Sequence, residues 1–227
     1  GSICCTIRPI KVNTSKLYSF QAGTDPASPD NIPNQINSSG KRDALSRYLS
    51  LLEINQDVVG WISVPNTVID YPVVQAEDND YYLRRDIHGK RANAGTIYMD
   101  YRSDAQSKDN NTILYGHHMR NGSMFKDLVK YKQEEFFLQN DDIRFDTLFD
   151  EIKWEVFSVY ITEADFPYTQ TTFASDEDYL DFLDKIKGKS MFEKEMTLSK
   201  EDQILTLSTC TYEYDDARFV VHARRVP

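Results

Sequence analysis

Nine glycines and four histidines among 227 residues leave this chain short of both types. No run of about 18 apolar residues occurs, so no segment reads as a membrane-spanning helix. No secretory leader pattern is visible either. Long basic runs are missing and the formal net charge is -10, which excludes a nucleic-acid binder built on a phosphate-pairing stripe. Cysteine is rare: Cys4 and Cys5 are adjacent and Cys210 stands alone. An odd count without regular spacing excludes a disulfide framework, and the lack of C-x-x-C excludes a zinc ribbon or thioredoxin-type motif. What is present suits one globular domain with a sizeable core. Hydrophobic residues make up 40% and charged residues 27%, with 14 Tyr and 12 Phe to fill a core or line a groove. An acidic surface is compatible with basic or amine-bearing partners, and solubility explains it equally well.

Residues 1–38 lack periodicity, carry Pro26, Pro29 and Pro33, and read as a flexible tail that opens on a vector-like Gly1-Ser2. A domain is expected over 39–227. Leu45, Tyr48, Leu49 and Leu52 recur at helical spacing behind a cap at Ser38 or Ser39, predicting a helix that ends near Asn55. From Trp61 onward short strands are expected at 68–74, 96–99, 112–115, 142–145, 152–162, 203–209 and 218–226. A helical turn is expected at 78–83. Short helices are expected at 123–131, capped by Ser123, and at 134–138. A long excursion over 163–200 holds an amphipathic helix at 175–187, with Tyr179, Phe182, Leu183 and Ile186 inward. Many short strands with a few helices predict a helix-decorated β-barrel.

Chemistry concentrates in three places. In Leu205-Thr206-Leu207-Ser208-Thr209-Cys210, strand alternation sets Leu205, Leu207 and Thr209 on one face and Thr206, Ser208 and Cys210 on the other. Cys210 falls at the strand's end, entering a polar loop, where a thiol is both fixed and reachable. A small buried hydrophobe is the competing reading. A reactive thiol needs a base or a positive charge nearby. Tyr115-Gly116-His117-His118-Met119 offers two histidines at a Gly-punctuated strand exit, and Arg218 opens the last strand, where a guanidinium could steady an oxyanion. His88 reads as a solvated loop residue and His222 as a structural or surface strand residue. A zinc site from Cys210, His117, His118 and His222 has irregular spacing and is disfavoured.

The order of these pieces is specific. Thr-Leu-Ser-Thr-Cys at one strand end, Arg at the start of the next, and Tyr-Gly-His roughly ninety residues upstream resemble the sortases, cysteine transpeptidases of Gram-positive bacteria. The resemblance spans about residue 40 to 227. Asp57–Trp61, Asn66–Val74, Asn79–Leu83, Thr112–Phe125 and Ser208–Tyr214 are similar to class B members, as is the helix-bearing insertion before the cysteine strand. The resemblance implies an eight-stranded sortase β-barrel with an N-terminal helix. It implies Cys210, His117 and Arg218 as catalytic residues, with Ser208, Thr209 and Tyr212 binding substrate, and no cofactor or metal. By family order the histidine directly after Gly116 is the catalytic one, and His118 its neighbour. Implied partners are surface or pilin proteins bearing a sorting motif, and an amine from a peptidoglycan cross-bridge or a pilin Lys. Implied too is an N-terminal membrane anchor on the outer face of the cell membrane, absent from this chain, with residues 1–38 as its stalk or a vector-derived tail. A cysteine hydrolase and a non-enzymatic β-barrel binding module are the alternatives.

Overall fold

Eight strands follow one another along the described residues: β1 (Val58–Ser63), β2 (Asp70–Val74), β3 (Ile97–Met99), β4 (Asn111–Tyr115), β5 (Asp142–Thr147), β6 (Lys153–Thr162), β7 (Ile204–Cys210) and β8 (Arg218–Arg225). The structure is a computed structural model and describes residues 45–211, 213 and 216–227. The tail at 1–38, the Ser38 or Ser39 cap, the domain boundary at 38/39, Cys4, Cys5 and Tyr212 lie outside the described residues. The strands close into a barrel in the order β1-β2-β3-β4-β7-β8-β6-β5, with β1 pairing β5 to complete the ring. Closure leaves no edge whose backbone groups lack a partner. Two of the pairings are parallel, β2 with β3 and β4 with β7; the other six are antiparallel.

Among the described residues three short α-helices decorate the barrel: α1 (Leu49–Ile54), α2 (Glu134–Gln139) and α3 (Asp176–Gly188). The last is the best specified. The Ser175 hydroxyl accepts from the Asp178 N–H, Asp176, Glu177 and Asp178 fill the first turn, and Lys185 and Lys187 the last, each complementing the helix dipole. Its buried face, Tyr179, Phe182, Leu183 and Ile186, packs with Phe157, Tyr160, Ile204 and Val220 of strands β6, β7 and β8. Burial of each such side chain contributes roughly 1.5–3 kcal/mol. The helix therefore pins the 163–203 excursion to the outer face of the strands that carry Cys210 and Arg218.

Several expectations need correction. The first helix is a 3-10 turn at Ser46–Tyr48 followed by α1, and only Tyr48 is buried; Leu49, expected inward, is 53% exposed. The element expected at 123–131 is a 3-10 helix at Phe125–Lys132, and Ser123 does not cap it. Its hydroxyl donates to the Asn121 side chain, while Met124 adopts φ 58° and donates its N–H to the Tyr71 hydroxyl. The strand expected at 152–162 is β6, and it carries a bulge between Val156 and Ser158. The turn expected at 78–83 is a 3-10 helix at Tyr82–Arg84.

Candidate active site

Strand register assembles the site. β7 and β8 are antiparallel with Cys210 paired directly to Arg218, so a loop joins the last residue of one to the first of the other. Directly paired residues have Cβ atoms about 5 Å apart and share a face. The thiol is exposed at the strand end. From the other side, β4 runs parallel to β7 with Tyr115 against Ser208, and the Gly116 N–H continues the ladder to the Ser208 carbonyl at 3.2 Å. The ladder ends there, and His117 and His118 follow directly on the β4 exit beside the end of β7.

Gly116 is required by packing. A Cβ there would lie 2.7 Å from Phe125 Cγ and would also strike Ile97, so only glycine lets the chain pass between them. Beyond it, the two histidines separate. His117 Nε2 lies 2.7 Å from the Leu83 carbonyl. A carbonyl only accepts, so Nε2 carries the proton and Nδ1 is the nitrogen left to titrate. Burial pushes the His117 imidazole below its ordinary pKa; the Leu83 carbonyl opposes that shift and Arg84 adds to it. The Leu83 carbonyl is itself fixed by close approach to Gly95 (φ 60°), where a Cβ would come within 2.6 Å of that oxygen. His118 is half-buried and its Nδ1 donates to the Cys210 carbonyl at 3.1 Å. Burial lowers its pKa as well, aided by Lys126 and Lys132.

Arg218 is partly buried, and its Nη1 donates to the backbone carbonyls of Asp216 and Ala217, at 2.9 and 3.3 Å. The acidic loop does not neutralise it through Glu213, which instead pairs with Lys132 and accepts from the Thr211 hydroxyl. Ser208 is buried and its hydroxyl lies 2.9 Å from the Tyr168 hydroxyl. Thr209 is also buried, on the face opposite Cys210, so its side chain points away from the thiol. His222 is fully buried between Tyr160 and Thr206, which occupy both ring nitrogens and remove it from any ligand set with Cys210. Among the described residues no group of three or more His, Cys, Asp or Glu could hold a metal ion. His88 is exposed.

Some contributors had no sequence signal. The Leu83 carbonyl is a backbone atom, and any residue supplies one. Tyr168 sits in an irregular segment, yet its hydroxyl lies 2.9 Å from that of Ser208, two residues before Cys210. Asn111 opens β4, one residue before the strand expected at 112–115.

The chain belongs to the sortase family, whose members are transpeptidases: the family's sortase-domain model matches residues 62–226. Within that family it is a class B sortase. Sortase B of Listeria monocytogenes is 40% identical over 178 residues, covering 78% of this chain and 72% of that protein. Sortase B of Staphylococcus aureus is 38% identical over 180 residues, covering 78% and 74%. A solved Bacillus anthracis protein described as similar to sortase B superposes with a TM-score of 0.76 at 49% identity, covering 81% of this chain and 84% of that one. The closed eight-stranded barrel is the fold of these sortase B structures.

Proposed function

We propose that Cys210 is the nucleophile of a transpeptidation in which a protein carrying a C-terminal sorting motif is cleaved after Thr and joined to a peptidoglycan cross-bridge amine. The observation that carries this reading is the register that pairs exposed Cys210 with Arg218, with the β4 exit that bears His117 running beside the cysteine strand. In the first half, His117 Nδ1 takes the Cys210 thiol proton as the sulfur attacks the Thr carbonyl carbon, and the carbonyl oxygen takes the negative charge. The Arg218 guanidinium faces that charge as it develops. Collapse breaks the Thr C–N bond; the departing nitrogen takes a proton from His117 Nδ1, leaving a thioester on Cys210. In the second half, the acceptor amine attacks the thioester carbonyl, His117 Nδ1 takes the amine's proton, and the sulfur leaves as the new amide forms, recovering that proton from Nδ1. The Leu83 carbonyl, by holding Nε2–H, keeps the ring in the tautomer both halves need. The chemistry calls on no metal or organic cofactor. We place the protein at the outer face of the cell membrane, where surface proteins and cross-bridge amines meet.

The test is product mass from Thr-Gly- and Thr-Asn-type sorting peptides, with and without a small amine. Turnover should stop in Cys210→Ala. It should fall by about 10²–10⁴ in His117→Ala, the range for a positioned acid–base group. His118→Ala should cost far less, and equal losses would undo the assignment between the two. Arg218→Ala should lower kcat by about 10²–10³. Amide product with the amine present supports transpeptidation; free acid alone would make the protein a hydrolase. A pilin Lys peptide outcompeting a cross-bridge peptide would change the acceptor.

A further inference from the structure

Residues 163–175, between β6 and α3, form neither helix nor strand. A segment without its own ladder must find partners for its backbone groups elsewhere. Three successive carbonyls here are captured by side chains. Asn111 Nδ2 donates to the Tyr168 carbonyl at 3.1 Å and to the Gln170 carbonyl at 2.9 Å. Arg102 Nη2 donates to the intervening Thr169 carbonyl at 3.1 Å. The Tyr168 side chain completes the attachment through Ser208 on β7, two residues before Cys210.

Both captors are held in one orientation. The Asn111 side chain is fully buried, so each of its polar atoms must be satisfied. Its two amide protons are spent on the wall. Its Oδ1 accepts from the Thr206 hydroxyl at 2.6 Å, which in turn accepts from His222 Nδ1 at 2.9 Å. His222 Nε2 then accepts from the Tyr160 hydroxyl at 2.7 Å. Each donor–acceptor direction follows from the one before, and the chain crosses β6, β8, β7 and β4 before it ends at Tyr168 and Gln170. Turning the Asn111 amide over would set an NH2 group against the Thr206 proton and an oxygen against two carbonyls. Arg102 is fixed by a two-pronged bond to Asp100, Nε and Nη2 each at 2.8 Å, and Asp100 is buried and also accepts from the Tyr115 hydroxyl at 3.0 Å.

We propose that Asn111 and Arg102 are positioning residues that hold 168–170 as a prebuilt wall of the peptide groove, so that an incoming sorting peptide meets a finished surface and need not order one. The proposal rests on the transpeptidase reading above. Neither residue touches the reacting atoms; both act through the wall, which Tyr168 ties to the strand of the nucleophile. A preformed wall lowers the entropic cost of binding, so its loss appears in the peptide's KM and not in the chemistry at the thiol.

The experiment compares wild type with Asn111→Ser and Arg102→Gln by three readouts. These are hydrogen exchange over 166–173, kcat and KM for the sorting peptide that wild type turns over, and alkylation of Cys210 by iodoacetamide. Each variant should speed exchange in that segment and raise peptide KM by about fivefold to tenfold, the effect of one lost hydrogen bond. Cys210 alkylation and kcat should stay within about twofold. Arg102 is 39% exposed in its side chain, so its variant keeps the test decisive if the buried Asn111 variant fails to fold. Unchanged exchange in Arg102→Gln overturns the clamp. Faster exchange with unchanged KM, or a loss confined to kcat, overturns the wall's role in peptide binding. If wild type turns over no peptide, the transpeptidase reading fails, while exchange still decides the clamp.

Discussion

A single hydroxyl one residue before the thiol stands out for having no partner. Thr209 Oγ1 is buried and, among the described residues, makes no hydrogen bond. Leaving such a group unpaired costs about 1–3 kcal/mol. Thr209→Val keeps the shape and removes the penalty, so the variant should gain about 1 kcal/mol, read as a melting temperature higher by roughly 2–4 °C. A drop in kcat/KM together with that gain would mean the hydroxyl is reserved for a partner present only during catalysis. A lower melting temperature would mean it already has a partner in the resting protein. The residue scale also marks where sequence reading stops. Alternation along β7 correctly separated Thr209 from Cys210 because a strand's period is local. The Leu83 carbonyl that orients His117 was invisible because its placement depends on a distant 3-10 turn and on Gly95.

At the scale of elements, the hairpin of β7 and β8 was legible: two strands joined by a short polar loop bring Cys210 and Arg218 together by themselves. The parallel pairing of β4 with β7 was not, since nothing local marks a register between strands separated by β5, β6 and the whole excursion. His117 and Cys210 could be joined from sequence only through family resemblance. The 3-10 helix at Phe125–Lys132 shows a different failure, a cap residue diverted to a neighbour. Its far end matters to the site. Lys132 pairs with Glu213, donates to the Thr211 hydroxyl at 3.3 Å and lies over the Phe219 ring, tethering the loop that follows Cys210. This partly exposed pair is worth at most about 1 kcal/mol. Lys132→Met should therefore barely move the melting temperature while making the β7–β8 loop more readily cleaved by protease. Equal cleavage rates in wild type and variant would show that the tether does not hold the loop.

Across the whole molecule, the buried polar chain through His222 makes folding depend on pH. Burial alone pushes the His222 imidazole down to about 3, and the folded barrel keeps it neutral between Tyr160 and Thr206. In the unfolded chain the same side chain protonates near its ordinary value of about 6.5. Above that value neither state binds the proton and the contribution to stability is complete. Between about 6.5 and 3 only the unfolded state binds it, so stability falls as pH falls, by about 1.4 kcal/mol per unit. From pH 6.5 to 5 this single group should cost roughly 2 kcal/mol, a large part of a domain's net stability. Urea midpoints of wild type and His222→Gln across that range isolate the effect, because every other titrating group is common to both. The wild-type midpoint should fall more steeply with acid than the variant's, at equal denaturant slope. Parallel curves would mean that the barrel admits a charged His222, and the hydrogen-bond directions that orient Asn111 toward the wall would then have to be redrawn from Tyr160 onward.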